Sequence, residues 1–398
     1  MTTSNAPAKG GKALNIAIIV AAVLTVAGIA LWAVQLTGGM VQTGMRNLDS
    51  WGLYITMFMF FVGLSAGGLI ISSIPRAFGL EGFGGISKVA VWTSICATVV
   101  AIGFVVVDMG QPFRVWELFV YSNLSSPLMW DIIVLMTYLI LSCVYLWATL
   151  RAEAGKVSQL ALRVISVIAL VCAVMVHTVT AWIFGLQASH ELWHTALLGP
   201  WFVSSALVCG TALVIVVVIA LRKVGYLELD QRHLVKLAKM LGAFCMVDLY
   251  FFGCDLLTAG FPGGTGAEVV EMLVFGPLAP FFWTEIVGTA LAAAICFVPA
   301  ARKNGMLVIA SVLAIVAILC KRVQLLVGGF QIPNVDMPFA MTQYTVTNWQ
   351  AGSMAAAYEG MVYWPTMLEV GVVVGIIALG ALLLLVGIKK LPLKPAEK

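Results

Sequence analysis

The stretch "SSPLMWDIIVLMTYLILSCVYLWATLRAEAGK" (125–156) decides the solvent in which this chain folds. Between Asp131 and Arg151 no residue carries a charge, and the apolar run 128–149 is long enough to cross the ~30 Å hydrocarbon core of a bilayer as a helix. One end opens on Trp130 and a carboxylate; the other closes in the short basic connection "RAEAGK". Nine further runs of this kind recur along the chain. With 128–149 they give ten spans: 14–35, 51–74, 88–107, 128–149, 160–186, 198–221, 237–258, 280–299, 304–326 and 365–388. The composition agrees, since 62% of residues are hydrophobic and only 10% charged, more apolar matter than a soluble interior can hide. No intervening stretch reaches domain size. The expectation is an all-α polytopic membrane protein forming a single membrane domain over 1–398.

Charge sets the orientation. Of the 22 Lys and Arg residues, all but Arg46, Arg114, Lys321 and Arg322 fall in the two tails and the even-numbered connections, which places both termini in the cytoplasm by the positive-inside rule. The N-terminal "MTTSNAPAKGGKALNIAIIV" has a basic stretch before an apolar one, as a signal peptide would. The apolar run continues to Leu36 without a cleavage site, so it reads as a retained first helix. The eight cysteines all lie inside spans with no CxxC pair, which argues against an iron–sulfur or zinc site and for small buried hydrophobes.

The connections differ between the two sides. Cytoplasmic ones are short; the outward ones (36–50, 108–127, 187–197, 259–279 and 327–364) are long and rich in Gly, Pro, Trp and acids, as in "FPGGTGAEVVEM" (261–272). Loops of that size usually dock something, which points to an extracytoplasmic partner. A faint repeat runs through the spans. "SPLMWD" (126–131) opens the fourth and "GPLAPFFWTE" (276–285) the eighth; "FFVGLSAGG" (60–68) lies in the second and "FVSSALVCG" (202–210) in the sixth. These matches suggest two parallel four-helix bundles, helices 2–5 (51–186) and 6–9 (198–326), flanked by helices 1 (14–35) and 10 (365–388). Gly63, Ser65, Ala66, Gly67 and Gly68 would let backbones approach closely.

Ionisable residues inside spans are the main chemical signal, because each costs about 2.5–3.5 kcal/mol at the bilayer centre on insertion scales. Here they are Asp131, His177, Asp248, Asp255, Glu285, Lys321, Arg322 and Glu369, mostly in the outer halves of their helices. Asp248 and Asp255 share one face about 10 Å apart. Ion pairs of Lys321 and Arg322 with Glu285 or Asp255, fixing helix register, are one reading. A proton pathway through Asp248, Asp255, Glu285, Lys321, Arg322 and Glu369 is the other. A second constellation, "DMGQPFRVWELF" (108–119) followed by "SSPLMWD", gathers Asp108, Gln111, Arg114, Trp116, Trp130 and Asp131 at one membrane surface. Aromatic walls with one or two acids suit a quinone, which needs hydrogen-bond partners and a proton route. An interfacial aromatic belt with a capping Asp suits the same residues. His177, His190 and His194 follow in "VHTVTAWIFGLQASHELWHTALLGP" (176–200). A bis-histidine haem from His177 and His194 lacks a second pair, whereas an acid–imidazole pair of Asp131 with His177 is plausible from adjacent helices.

With these pieces in place, the chain resembles the NrfD/polysulfide-reductase membrane-subunit family over roughly 45–392. The segments that carry the likeness are "WGLYITMFMFFVGLSAGG" (51–68), "DMGQPFRVW" (108–116), "SPLMWD", "HTVTAWIF" (177–184), "LWHTALLGPWFVSSALVCG" (192–210) and "YWPTMLEVGVVVGIIALG" (363–380) ending in "KKLPL". The last ones are similar to the ten-helix branch, which includes membrane subunits of alternative complex III, of the Dsr and Hme complexes and of hydrogenase 2. The resemblance implies a multi-pass subunit of a prokaryotic cytoplasmic membrane, in contact with lipid and not nucleic acid. It implies no covalent or metal-bound cofactor in this chain and an exchangeable quinone, menaquinone or ubiquinone. Its partners would be a ferredoxin-like four-cluster iron–sulfur subunit outside and a molybdopterin or other redox catalytic subunit. The quinone pocket so implied involves Trp51, Tyr54, Asp108, Gln111, Arg114, Trp130, Asp131 and His177. Eight-helix relatives carry a His or Asn before the first bundle helix; in "GMRNLDS" (44–50) Asn47 is the matching residue.

Overall fold

In the computed structural model, residues 11–45, 49–78, 84–227, 229–331 and 363–392 are described, and their regular structure is helical throughout. Ten helices are long and apolar enough to cross a membrane, and each coincides with one of the ten expected spans. They are α1 (Gly11–Gly38), α2 (Leu53–Ala77), α3 (Gly84–Asp108), α5 (Pro127–Glu153), α6 (Gln159–Gly185), α7 (Leu198–Lys223), α8 (Gln231–Gly260), α10 (Ala279–Phe297), α11 (Asn304–Gln331) and α12 (Met367–Lys390). In hydrocarbon a backbone has no water to bond, so each apolar run must satisfy its own N–H and C=O groups as a helix. The protein is a multi-pass integral membrane protein.

Two shorter helices lie in connections that the sequence reads as loops. These are α4 (Glu117–Val120) and α9 (Thr265–Phe275). Gly263 and Gly264, at φ of +81° and +68°, turn the chain between α8 and α9, a conformation that glycine adopts freely. Of the long 327–364 connection, α11 takes the start as far as Gln331, and residues 332–362 lie outside the described ones, as do Arg46 and Asn47.

Helix α2 is the axis of the assembly and packs on α3, α6, α7 and α11. Around it, α5 closes on α6 and α3, while α7, α8, α10 and α11 pack on one another in a second group. The two groups meet where the small-residue stretches of α2 and α7 cross. A Cβ on Gly67 would overlap the Ala206 carbonyl oxygen, and one on Gly210 would overlap the backbone of Gly67. Without a hydrophobic drive between helices in lipid, such backbone contact is what binds them. Helix α1 packs chiefly on α12, which also leans on α3.

Cross-connections tie the loops of one end together. Trp193 Nε1 donates to the Leu325 carbonyl at 2.6 Å, and Gln35 Nε2 to the Val107 carbonyl at 2.9 Å. The Leu53 amide donates to Tyr363 Oη at 2.8 Å. The cysteines depart from expectation in part: Cys96, Cys209, Cys245, Cys296 and Cys320 are buried, but Cys143 is exposed and Cys172 and Cys254 are half-buried. A thiol tolerates contact with lipid as readily as with protein.

Candidate functional site

Near the loop-rich end, α5, α6, α7, α8, α10 and α11 bring ionisable side chains into the apolar interior. Arg322 on α11 is fully buried and crosses the seam between the two groups. Its Nη2 donates to His177 Nε2 on α6 at 3.1 Å and to Ser205 Oγ on α7 at 2.5 Å, and its guanidinium lies 3.8 Å over the Phe202 ring. A guanidinium can only donate, so His177 Nε2 is the acceptor and the imidazole is neutral with its proton on Nδ1. That Nδ1 is buried and, among the described residues, no partner takes its hydrogen; the same holds for Arg322 Nε and Nη1. The imidazole lies over Gly63 of α2, where a Cβ would come within 3.3 Å of the ring.

Lys321, one residue earlier, faces the other way. Its ammonium sits 2.8 and 2.9 Å from the two carboxylate oxygens of Asp248 on α8, 3.8 Å from Glu285 Oε1 on α10 and 3.8 Å over the Trp201 ring. Ser204 donates to the same Asp248 oxygen at 2.8 Å, and Gln324 Nε2 donates to Glu285 Oε2 at 2.9 Å. The expected ion pairing is found for Lys321 with Glu285, with Asp248 in place of Asp255 as the nearer partner, and is corrected for Arg322. Lys321 pairs with Asp248 and Glu285, and Arg322, among the described residues, meets an imidazole and a hydroxyl instead of a carboxylate. Asp255 lies further out on α8. With Glu285, Lys321, Arg322 and Gln324 it lines a cavity of about 30 Å³ walled by Trp201, Phe202 and Phe252. That space suits about two waters.

Asp131 is buried at the head of α5 and meets Thr180 Oγ1 on α6 at 2.6 Å. The Thr180 hydroxyl also lies 2.8 Å from the Val176 carbonyl. A hydroxyl has one hydrogen. Either Thr180 gives it to the Asp131 carboxylate, or it gives it to Val176 and accepts from a protonated Asp131. The contact thus survives in both protonation states. The expected acid–imidazole pair does not form directly: Asp131 goes to Thr180 and His177, one turn deeper on α6, goes to Arg322. Nor do His177 and His194 face one another, since His194 is exposed in the loop and His177 is held across the seam.

The remaining candidates scatter. Tyr54 is buried and donates to Gln35 Oε1 at 2.5 Å. Trp51 is half-buried edge-on to Phe184 with ring centroids 5.8 Å apart, and Trp130 is edge-on to Trp182 at 6.5 Å. Asp108, at the end of α3, is half-buried, and among the described residues nothing bonds its Oδ1. Gln111 and Arg114 are on the exposed connection that precedes α5. There Arg114 makes a bidentate bond to Glu117 at 2.8 and 2.9 Å. Pro112 starts a tight turn and α4 follows, so this segment runs over the surface instead of entering the helices. Glu369 sits in a different corner from Lys321. It accepts from Tyr363 Oη at 2.6 Å, from the Gly44 amide at 2.7 Å and from the Thr366 amide at 2.8 Å, closing a capping box at the head of α12. Burial pushes the Tyr363 hydroxyl up, and its bond to Glu369 adds to this. Outside the helices, Asp49 is pushed up to about 6 by burial.

A correspondence between the two groups emerges that the sequence shows only at its edges. Trp130 Nε1 donates back to the Leu124 carbonyl at 2.6 Å, and Trp283 Nε1 to the Val274 carbonyl at 3.3 Å. The acids that follow, Asp131 and Glu285, are each taken by a polar residue of the last helix in their group, Thr180 and Gln324. Three residues before each of these stand His177 and Lys321. Nothing in the sequence singles out Ser204, Ser205, Trp201, Phe202 or Gln324. The run "FVSSALVCG" signals packing, and hydroxyls within it give no separate sign of partners.

Residues 41–334 match the family described as "Polysulphide reductase, NrfD". The chain is 33% identical over 95% of its length to a protein of Halobacterium salinarum provisionally named as a membrane subunit of dimethyl sulfoxide reductase, and the match takes in 91% of that protein. It is 26% identical to the Hdr-like menaquinol oxidoreductase integral membrane subunit of Archaeoglobus fulgidus, over 97% of this chain and 95% of that one. To a selenate reductase subunit of Mesobacillus selenatarsenatis it is 23% identical, over 94% and 93% of the two chains. With ten spans, a family match over most of its length and a relative of this similarity along nearly the whole chain, the protein belongs to the NrfD polysulphide reductase family of integral membrane proteins.

Proposed function

We propose that this chain is the quinone-reactive membrane subunit of a prokaryotic respiratory reductase complex. It exchanges electrons between the quinone pool of the cytoplasmic membrane and an extracytoplasmic iron–sulfur subunit, which in turn serves a molybdopterin or other redox catalytic subunit. The relatives' names support the setting, being subunits of reductases and of a menaquinol oxidoreductase. The observation that carries the reading is His177. It is a neutral imidazole, fully buried, fixed by Arg322 at one nitrogen and, among the described residues, without a partner at the other. Buried donors without partners are rare, and a carbonyl oxygen is the kind of group that such a donor suits.

The residues fit a quinone in kind. When bound it would carry two electrons and two protons per turnover, taken up as quinone is reduced and released as quinol is oxidised. His177 Nδ1–H would be the donor to one of its oxygens, and Arg322 locks the ring in the tautomer that keeps this donor. Asp131 holds or gives up a proton without losing Thr180, as a general acid or base must. Trp51, Phe184, Trp130 and Trp182 are the aromatic walls nearby. Gln111 and Arg114 belong to the docking side. The segment 113–124 exposes Phe113, Trp116, Phe119, Tyr121 and Leu124, an aromatic strip suited to a protein partner.

The test is Asp131→Asn in the purified complex, assayed for quinol-linked electron transfer and for extractable quinone. We expect turnover to fall about 100-fold, the lower range for a general acid or base, with the complex intact and the partner's activity with artificial donors unchanged. Unchanged quinol-linked turnover would refute the role. A second reading, ion translocation, is favoured by the small polar cavity between Asp255, Glu285 and Lys321. Proton flux in vesicles that disappears in Asp248→Asn while electron transfer continues would support it.

A further inference from the structure

Helices α1 and α12 touch where Gly28 meets Gly375; a Cβ on Gly28 would overlap Gly375 Cα. On the side of that crossing toward Lys12 and Lys390 the two helices enclose a groove of about 650 Å³ whose lining is entirely apolar. Its walls are regular stripes. Ile16, Val20 and Leu24 line it from α1, and Ile377, Ala381 and Leu385 from α12, each set at steps of four. At 1.5 Å per residue, the stretch from Ala13 to Leu24 runs about 17 Å, close to one leaflet of a ~30 Å hydrocarbon core.

Both stripes end on a cation. Lys12 stands one step of four before Ile16, and Lys389 one step of four after Leu385. Both are exposed, and Lys389 Nζ reaches across the mouth to Asn15 Oδ1 at 2.8 Å. An ammonium has three N–H groups, so this bond fixes it over the groove and leaves donors for an anion.

We propose that this groove is a binding site for one anionic phospholipid, with an acyl chain between α1 and α12 and the phosphate held by Lys12 and Lys389. Charge complementarity selects the occupant: the groove is apolar along its length and positive only at its mouth, which is the pattern of a single lipid. A further helix, about 10 Å across, would have to break the Lys389–Asn15 bridge to lie along it. Because α1 packs chiefly on α12, the lipid would also fill the gap that opens between them beyond the glycine crossing. The site is independent of the quinone reading.

The test uses the full chain in detergent, stripped of lipid and titrated with phosphatidylglycerol or phosphatidylcholine of identical chains, read by native mass spectrometry. One phosphatidylglycerol should be retained per chain, on the order of tenfold tighter than phosphatidylcholine. Lys12→Gln with Lys389→Gln should abolish that preference. Lys390→Gln, one residue off the stripe, should leave it. Ala17→Leu with Ala381→Leu should lose both lipids. Equal retention of the two lipids by the unmodified protein would overturn the proposal. So would a Lys390→Gln effect as large as that of the Lys12/Lys389 pair, which marks bulk charge rather than a site. Loss of a dimer in the groove-filled variant would assign the groove to a second copy instead. The lysine variants carry no packing change, so they decide the matter even where the groove-filled variant fails to fold.

Discussion

The Lys321–Asp248 pair is the most exposing test of the interior, because it distinguishes charges that hold the fold from charges kept for transport. Asp248→Asn removes the carboxylate 2.8 Å from Lys321 and preserves an acceptor for Ser204. Removing one partner of a buried pair usually costs about 3–5 kcal/mol, since it strands the other charge. Here Glu285 Oε1 remains at 3.8 Å. Attraction falls as the inverse of distance, so Glu285 retains roughly three quarters of the Coulombic term at equal effective dielectric. The expected cost is therefore at or just below the bottom of that range, about 2–3 kcal/mol. Lys321→Met should cost a similar amount, because it leaves two acids facing each other. The double variant should cost little more than either single change, about 3 kcal/mol, giving a coupling of about 2 kcal/mol in the cycle. Reversible unfolding in mixed micelles at fixed salt measures all four corners. A coupling under about 1 kcal/mol would refute the reasoning, and would mean that Lys321 is retained for what it moves and not for what it binds.

Three further outcomes follow from the geometry. Gly67→Ala should destabilise by about 3 kcal/mol or more, because its Cβ would run into the Ala206 carbonyl, whereas Gly253→Ala, with open space around it, should be near neutral in the same unfolding assay. Asp49 is pushed up to about 6 from 3.8, so the folded state holds its proton more tightly than the unfolded state; stability should fall as pH rises from about 4 to about 6 and then level, and Asp49→Asn should erase that slope in thermal melts. Arg114→Ala should cost under about 1 kcal/mol, since its pair with Glu117 is exposed, and quinol-linked turnover should not change; a loss matching that of Asp131→Asn would place this loop over the quinone in the complex.

The ten spans were legible because bilayer thickness imposes one length on every apolar run, and nothing in the local sequence competes with it. Even the weak likeness between "SPLMWD" and "GPLAPFFWTE" pointed to a real correspondence, in which both tryptophans cap a preceding carbonyl and both acids turn inward. Helix α9 was hidden for a related reason. It is only 11 residues long, follows two glycines at positive φ and does not span, so the signal that identified the others does not apply to it. The exposure of residues 111–114 was not legible, because the motif puts polar and aromatic groups near Asp131 in sequence, while Pro112 and the Arg114–Glu117 clamp hold them on the surface.

Partner choice inside the membrane was not legible, and Arg322 shows why. Successive residues of an α-helix point about 100° apart, so Lys321 and Arg322 share a depth but not a neighbour. Their depth follows from their place in the span; only the rotation of α11 within the seam decides that one faces Asp248 and the other His177. On α11 that rotation is constrained by close packing on α10 at Gly288, whose Cβ would lie 3.2 Å from the Ala317 side chain. The consequence is functional as well as structural. Two adjacent residues of one helix hold the carboxylates of one group and the imidazole of the other, which gives a route by which a change of charge at Glu285 or Asp248 would reach His177. If the quinone reading is right, Asp248→Asn should shift the pH dependence of quinol-linked turnover even though Asp248 touches nothing in the first group. An unshifted profile would show that the two halves share a helix and nothing more.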